Sequence, residues 1–253
     1  MVNFYKFIKQ LSLISTEIIT QYFTTDLTIE YKHDQSPVTI ADKIAEEKMR
    51  NLIMKNYPEH GIIGEEFGLH QQGAEYQWVL DPIDGTKSFI HGVPTFGTLI
   101  ALLHNGQPIL GAIKLPIQND FLFGDGHITE LNGKPVRVRA CSDISKATLL
   151  TTDHLKISKY KDIKKFDRLI RMVKMYRTWG DYFGYFLLAT GRADIMIDPI
   201  MSPWDSLALI PIIKGAGGII TDYEGNEPVE GSSTIAANPD LHPQVIEILQ
   251  SER

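Results

Sequence analysis

Phe4, Phe7, Ile8, Leu11, Ile14, Ile18 and Tyr22 recur at three- and four-residue intervals, which predicts that the chain opens with an amphipathic helix. A polar, extended stretch leads from it to Pro37. The spacing of Ile40, Ile44, Met49, Leu52 and Ile53 predicts a second helix with Thr39 as its N-cap. The pattern then changes to short apolar runs bounded by turn residues. Ile62-Ile63, Trp78–Leu80, Gly97–Leu103, Ile109–Leu115, Phe121–Phe123 and Val136–Arg139 read as strands, with Asn105-Gly106 and Asn132-Gly133 as hairpin turns. Beyond a boundary at Ala140–Lys146 the periods alternate. Strands are expected at Ala147–Thr152, Ala193–Ile197, Gly217–Thr221 and Ile235–Ala237. Helices are expected at Ile163–Val173, at Tyr182–Thr190 with Gly191 as its stop, at Trp204–Lys214 with Pro211 in or near it, and at Pro243–Gln250. Mixed in this way, the elements predict a layered α/β architecture, an α+β sandwich in one compact unit, with an N-terminal half at 1–140 and a C-terminal half at 141–253.

Composition narrows the partners. The formal net charge of −6, with no basic run, argues against nucleic acid. No apolar run is long enough to span a membrane, and Lys6, Lys9, Gln10 and Glu17 interrupt the first helix in a way a secretory signal is not interrupted. The single cysteine, Cys141, allows no intrachain disulfide. The expectation is a cytoplasmic protein in a reducing compartment.

The chemistry concentrates in WVLDPIDGT, Trp78 to Thr86. A strand carries Asp81 and Asp84 to its end, Pro82 is expected to stop the ladder by removing a donor, Gly85 permits close backbone approach, and Thr86 is placed to cap the following helix. Carboxylates suit a hard cation and a helix N-terminus suits phosphate, so the pairing suggests phosphoryl chemistry. Further acids follow the same logic: Glu65 and Glu66 after the strand Ile62-Ile63, Asp42 in the first turn of the second helix, Asp198 at a strand end, and Asp205 after Trp204 at the start of a helix. Taken singly, each has an ordinary structural use. Thr39-x-x-Asp42 reads as a capping box, Asp205 as an acid complementing a helix dipole, and Asp198 as a strand-end acid before Pro199. His91 and His104 lack a second histidine at ligand spacing.

The motifs GEE, WVLDPIDGT and the later WD followed by a helix and GAGG, in that order, resemble the inositol monophosphatase family of magnesium-dependent phosphatases. The resemblance runs from Ser36-Pro37-Val38 to Gly218. Within the family, GTKSFIHGVPTFGTLIAL (Gly85 to Leu102), with Lys87-Ser88 where inositol phosphatases more often have Thr-Asn, resembles the histidinol-phosphate phosphatase branch. GDYFGYFLLATGRADIMIDPIMSPWD (Gly180 to Asp205) and the short SPVTIAD interval do so too. The resemblance implies that Glu65, Asp81, the Ile83 carbonyl, Asp84 and Asp205 hold two Mg2+ ions, with Asp42 as ligand of a third, weaker one. It implies that Glu65 and Thr86 position the attacking water, and that the Gly85 and Thr86 backbones receive phosphate. Asp198, Gly180, Asp181, Tyr182 and Arg192 would meet the substrate, with a core position on the face of Phe186 the alternative for Tyr182, and a neighbouring subunit or an ion pair with Asp194 or another acid the alternatives for Arg192. The implied activity is hydrolysis of L-histidinol phosphate in histidine biosynthesis. Inositol-1-phosphate and 3′-phosphonucleotides are the alternative substrates, and a non-catalytic regulatory protein is the alternative class. The family implies a homodimer.

Overall fold

Phe7, Ile8 and Leu11 are buried along one stripe of the opening helix, α1 (Val2–Tyr22), as its spacing predicts, and in the later turns it is Ile19 and not Ile18 that is fully buried. The structure is a computed structural model that describes residues 2–25, 28–31, 37–229 and 231–251. The polar stretch expected before Pro37 lies partly outside those residues, as does Ser36. Its described part forms β1 (Ile29–Tyr31), antiparallel to β2 (Pro37–Thr39). Helix α2 (Ile40–Asn56) starts at Thr39 and packs on α1.

The remaining N-terminal strands are β3 (Gly61–Gly64), β4 (Gly68–His70), β5 (Tyr76–Asp84), β6 (Gly97–His104), β7 (Gln107–Leu115), β8 (Asp120–Gly124), β9 (Thr129–Leu131) and β10 (Lys134–Val136), with the short helix α3 (Thr86–Ile90) after β5. They form one eight-stranded sheet in the order β10-β9-β8-β7-β6-β5-β3-β4, in which only β3 and β5 run parallel. The two-residue period sorts its side chains. Trp78, Leu80, Ile100 and Leu102 face α1 and α2, whereas Val79, Leu99, Ala101 and Leu103 face the opposite way.

The C-terminal elements are β11 (Thr148–Leu150), α4 (His154–Tyr160), α5 (Ile163–Met172), β12 (Met175–Arg177), α6 (Asp181–Ala189), β13 (Ile195–Asp198), α7 (Pro203–Ser206), α8 (Leu209–Gly215), β14 (Ile219–Thr221), β15 (Thr234–Ala237) and α9 (His242–Gln250). The five strands align in the order β12-β11-β13-β15-β14. Helices α6 and α8 are packed between the two sheets, joining Val79, Leu99 and Ile113 to Leu150, Met196 and Ala236 in one core. Outside the second sheet lie α4, α5 and α9, through Ile157, Phe166, Leu169 and Val245. The layers therefore alternate helix, sheet, helix, sheet, helix.

Three expectations are corrected. Pro82 does not end the strand. β5 runs through to Asp84 with a bulge between Asp81 and Asp84, because a missing N–H removes one ladder bond and an unpaired residue absorbs the loss. The Thr98 hydroxyl then takes up the Pro82 carbonyl at 2.8 Å. The strand expected at Val136–Arg139 is instead the hairpin β9–β10, ending at Val136, with Asn132-Gly133 as its turn. The helix expected over Trp204–Lys214 is split into α7 and α8, because Pro211 has no N–H to donate to Leu207.

Candidate active site

The bulge in β5 sets the site's geometry. It places Asp81, buried at 2 % exposure, and Asp84, which has a face open to a cavity, on successive turns of one distorted strand end. Gly85 follows at φ +82°, and a Cβ there would lie 2.9 Å from the Thr95 carbonyl, so glycine is required here by the chain's own backbone. Gly85, not Thr86, is the N-cap of α3. The Thr86 hydroxyl turns back and donates to the Ile83 carbonyl at 2.9 Å.

Glu65 is carried by the turn after β3, and its N–H donates to the Leu80 carbonyl at 3.2 Å, tying the GEE turn to β5. The Glu65 carboxyl group stands close enough to Asp81 to raise its pKa. The turn is held by Glu46 of α2, a residue that sequence reasoning did not single out. Its fully buried carboxylate accepts from Glu66 N at 2.7 Å and Phe67 N at 3.1 Å. A Cβ on Gly64 would fall 1.9 Å from Glu46 Oε1, so the glycine of GEE is the trace this contact leaves in the sequence. Glu46→Ala is expected to cost about 3 kcal/mol of stability, since two charge-assisted bonds are lost together. Denaturant unfolding measures it, and a loss below about 1 kcal/mol would mean the turn holds itself.

From the C-terminal half, α7 presents Asp205, whose Oδ2 accepts from Ser202 N at 2.9 Å in a capping box. Helix α6 presents Asp181, held at φ +51°, with its N–H donating to the Thr152 hydroxyl at 2.7 Å. The next N–H, of Tyr182, donates to Asp84 Oδ2 at 2.7 Å, a direct bond between the two halves. Burial, above all, pushes Asp81 and Asp84 well above the carboxylate range, and like-charge repulsion adds to it from Glu65 at Asp81 and from Asp181 at Asp84. Asp205 is pushed up to about 7 by burial, against the Ser202 bond, with Glu65 and Asp181 adding repulsion.

Asp42 forms the capping box anticipated for it: Thr39 N and Oγ1 both donate to Oδ2, at 2.8 and 2.6 Å. Its Oδ1 is buried with no hydrogen-bond partner, as is Asp81 Oδ1. Burial raises Asp42 to about 7.

Among the described residues no group of three or more His, Cys, Asp or Glu side chains is drawn together closely enough to enclose an ion as it stands. The donor set nonetheless suits a hard divalent cation. It is all oxygen, it gathers Glu65, Asp81, Asp84 and Asp205 around mutually repelling charges, and it includes a buried carboxylate oxygen with nothing else to bind.

A cavity of about 120 Å³ adjoins these acids, lined by Asp84, Asp153, Lys156, Asp181, Asp198 and Asp205 among others. Asp198 reaches it as expected but is also held structurally, accepting from Thr152 N and Tyr185 OH, each at 3.0 Å. Burial lifts it to about 7. The other residues expected at the substrate are placed differently. Gly180 makes a close approach, but to Thr152, whose Cα would be 2.1 Å from a Cβ there. The Tyr182 ring is fully buried and its hydroxyl donates to the Phe96 carbonyl, so only its backbone serves the site. Arg192 lies over the Phe186 ring at 5.5 Å, and the partner of Asp194 is Arg139, which bonds it through Nε and Nη2. Lys156 was missed because α4, which carries it, offers too short an apolar pattern to read.

The sequence model of the inositol monophosphatase family matches residues 1–253. The chain is 45% identical over 249 residues to Bifunctional phosphatase IMPL2, chloroplastic, of Arabidopsis thaliana, covering 93% of this chain and 72% of that one. It is 40% identical over 214 residues to a histidinol-phosphatase of Chlorobaculum parvum, covering 84% and 83%. Among solved structures, an inositol monophosphatase from Zymomonas mobilis superimposes with a TM-score of 0.87 at 35% identity, covering 97% of each chain.

Proposed function

The chain belongs to the inositol monophosphatase family and is a phosphoric monoester hydrolase, and from that premise we propose that its substrate is L-histidinol phosphate, hydrolysed to L-histidinol and phosphate. The observation that carries this reading is the charge of the cavity. Beyond the four acids assigned to metal, Asp153, Asp181 and Asp198 line it, and among the described residues Lys156 is the one basic side chain in the lining, with Lys87 near enough to Asp181 to favour its ionised form. Histidinol phosphate carries an ammonium and an imidazole, which such a wall would pair. Inositol phosphate offers no cation to it, and a 3′-phosphonucleotide would bring a second phosphate to a wall in which, among the described residues, acids outnumber bases. The name of the Chlorobaculum parvum relative supports the same choice.

Members of the family are metal-dependent, and we assign magnesium, two or three ions, to Glu65, Asp81, Asp84, Asp205 and the Ile83 carbonyl, with Asp42 beside them. Such ions, when bound, stabilise charge on phosphoryl oxygens and lower the pKa of water. The chain's own part follows from its hydrogen bonds. The Thr86 hydroxyl donates its hydrogen bond to the Ile83 carbonyl, so towards a water it offers only lone pairs, and with Glu65 it would orient that water as an acceptor. We assign receipt of the phosphate to the Gly85 and Thr86 N–H groups, at the start of α3. The same reading makes the protein a cytoplasmic homodimer serving histidine biosynthesis, with residues 1–140 and 141–253 as two halves of one unit.

The test is phosphate release from L-histidinol phosphate and from inositol-1-phosphate, side by side, with magnesium and with chelator. A magnesium-dependent preference for histidinol phosphate is expected, and a preference for inositol phosphate would replace the substrate while keeping the enzyme class. Asp181→Asn then probes the cationic wall, because asparagine tolerates the positive φ that Asp181 adopts. It should lower kcat/KM for histidinol phosphate by about tenfold, a loss of ~1.4 kcal/mol, and leave a neutral phosphate ester within about twofold. Equal losses on both would remove Asp181, and by extension Asp198, from recognition.

A further inference from the structure

On the far face of the first sheet from α6 and α8, a cleft of about 540 Å³ opens between α1 and the β7–β8 hairpin, lined by Tyr5, Lys9, Ser12, Lys114, Asn119 and Phe121 among others. Lys114 is 3 % exposed, an expensive place for an ammonium group. Its Nζ donates to Asn119 Oδ1 at 2.6 Å, and no carboxylate stands within ion-pair distance of it among the described residues. Lys9 is also without a carboxylate partner there, and its charge is close enough to oppose that of Lys114. The acid that supports Lys114 is Asp120, whose Oδ1 accepts from Asn132 Nδ2 at 2.7 Å.

Most of the polar groups named in the cleft have protons left to give, Ser12 excepted, whose hydroxyl donates to the Lys9 carbonyl at 2.8 Å. Lys114 and Lys9 keep protons to give. The Tyr5 hydroxyl has no protein partner among the described residues, and Asn119, whose Oδ1 is taken, has its amide nitrogen left. Two ammonium groups and two further donors line one cleft, with Asn119 Oδ1 accepting from Lys114 alone, on a chain whose net charge is −6.

We propose that this cleft is a second oxyanion site, separate from the acid-lined cavity, which binds a phosphate-sized dianion between Lys114 and Lys9. The ligand is either free phosphate or the phosphoryl end of a small metabolite, since both present the same charged oxygens. It is independent of the substrate assigned above, because it shares no residue with that cavity.

Two-dimensional NMR on the magnesium-loaded protein tests this, with inorganic phosphate as one probe and methylphosphonate, an uncleavable mimic of an esterified phosphate, as the other. Saturable shifts are expected at Lys9, Lys114 and Asn119, with a midpoint distinct from any shifts at Gly85 and Thr86. Whichever probe binds more tightly identifies the source. Lys9→Met, at an exposed residue, should weaken binding in the cleft by about tenfold, and Lys114→Met should abolish it. Absence of saturable shifts in the cleft with both probes, or binding unchanged in Lys9→Met and Lys114→Met, would overturn the proposal.

Discussion

Asp84→Asn is expected to lower kcat by about a thousandfold or more, roughly 4 kcal/mol of barrier, while leaving the fold intact. Both halves of that expectation come from the same atoms. An asparagine carbonyl can still accept from Tyr182 N, the 2.7 Å bond that docks α6 on the end of β5, so the two halves stay joined. What the carboxamide cannot supply is the negative charge and the second anionic oxygen in a set with Asp81, Asp205 and Glu65, on which binding of a divalent cation depends. Steady-state phosphate release, with circular dichroism and a melting curve on the same sample, separates the two. Retention of more than about a tenth of the activity would show that Asp84 is a docking acid and not part of the machinery.

The residues that carry this prediction are legible in the amino-acid sequence, and the reason is physical. Metal-binding acids must sit at strand ends and helix starts, where local sequence sets the backbone, so Asp81, Asp84, Asp205 and the glycine between strand and helix announce themselves. Asp42 is legible twice over, as a capping box and as an acid near the site, and the structure gives each use one oxygen: Oδ2 to the cap, Oδ1 to no protein partner. Long-range contacts leave weaker traces. Glu46 sits mid-helix on α2 and looks like surface charge until its carboxylate meets the turn after β3, 20 and 21 residues on. Arg139, not the nearer Arg192, finds Asp194, because partners across 55 residues are chosen by the fold. Tyr182 could be read either as a pocket residue or as core; its ring lies in the core, and its backbone N–H, which no side-chain pattern points to, bonds Asp84.

Replacing Asp205 by asparagine is expected to stabilise the metal-free protein at pH 8 and to leave it nearly unchanged at pH 4. In the unfolded chain this carboxyl titrates near 3.8, and in the folded chain near 7, raised by burial first and by Glu65 and Asp181 second. The folded state therefore binds the proton more tightly. Between those two values it holds more protons than the unfolded state, so stability falls as pH rises. The contribution is fully present below about pH 4 and lost once pH has passed about 7. Asp42 and Asp198, also raised to about 7 by burial, add to the same slope. Asparagine is neutral throughout and can still accept from Ser202 N, so it removes the slope of one group without removing the cap. Magnesium opposes the same repulsion by favouring the ionised acids, and should raise the melting temperature of the unsubstituted protein more at pH 8 than at pH 5.5, where protons compete with it. Melting curves in chelator and in magnesium across pH 4 to 8, for the protein and for Asp205→Asn, measure all of this. A variant no more stable than the parent in chelator at pH 8 would mean that the acids tolerate their crowding without a cation. A magnesium effect that survives the substitution undiminished would move the metal away from Asp205.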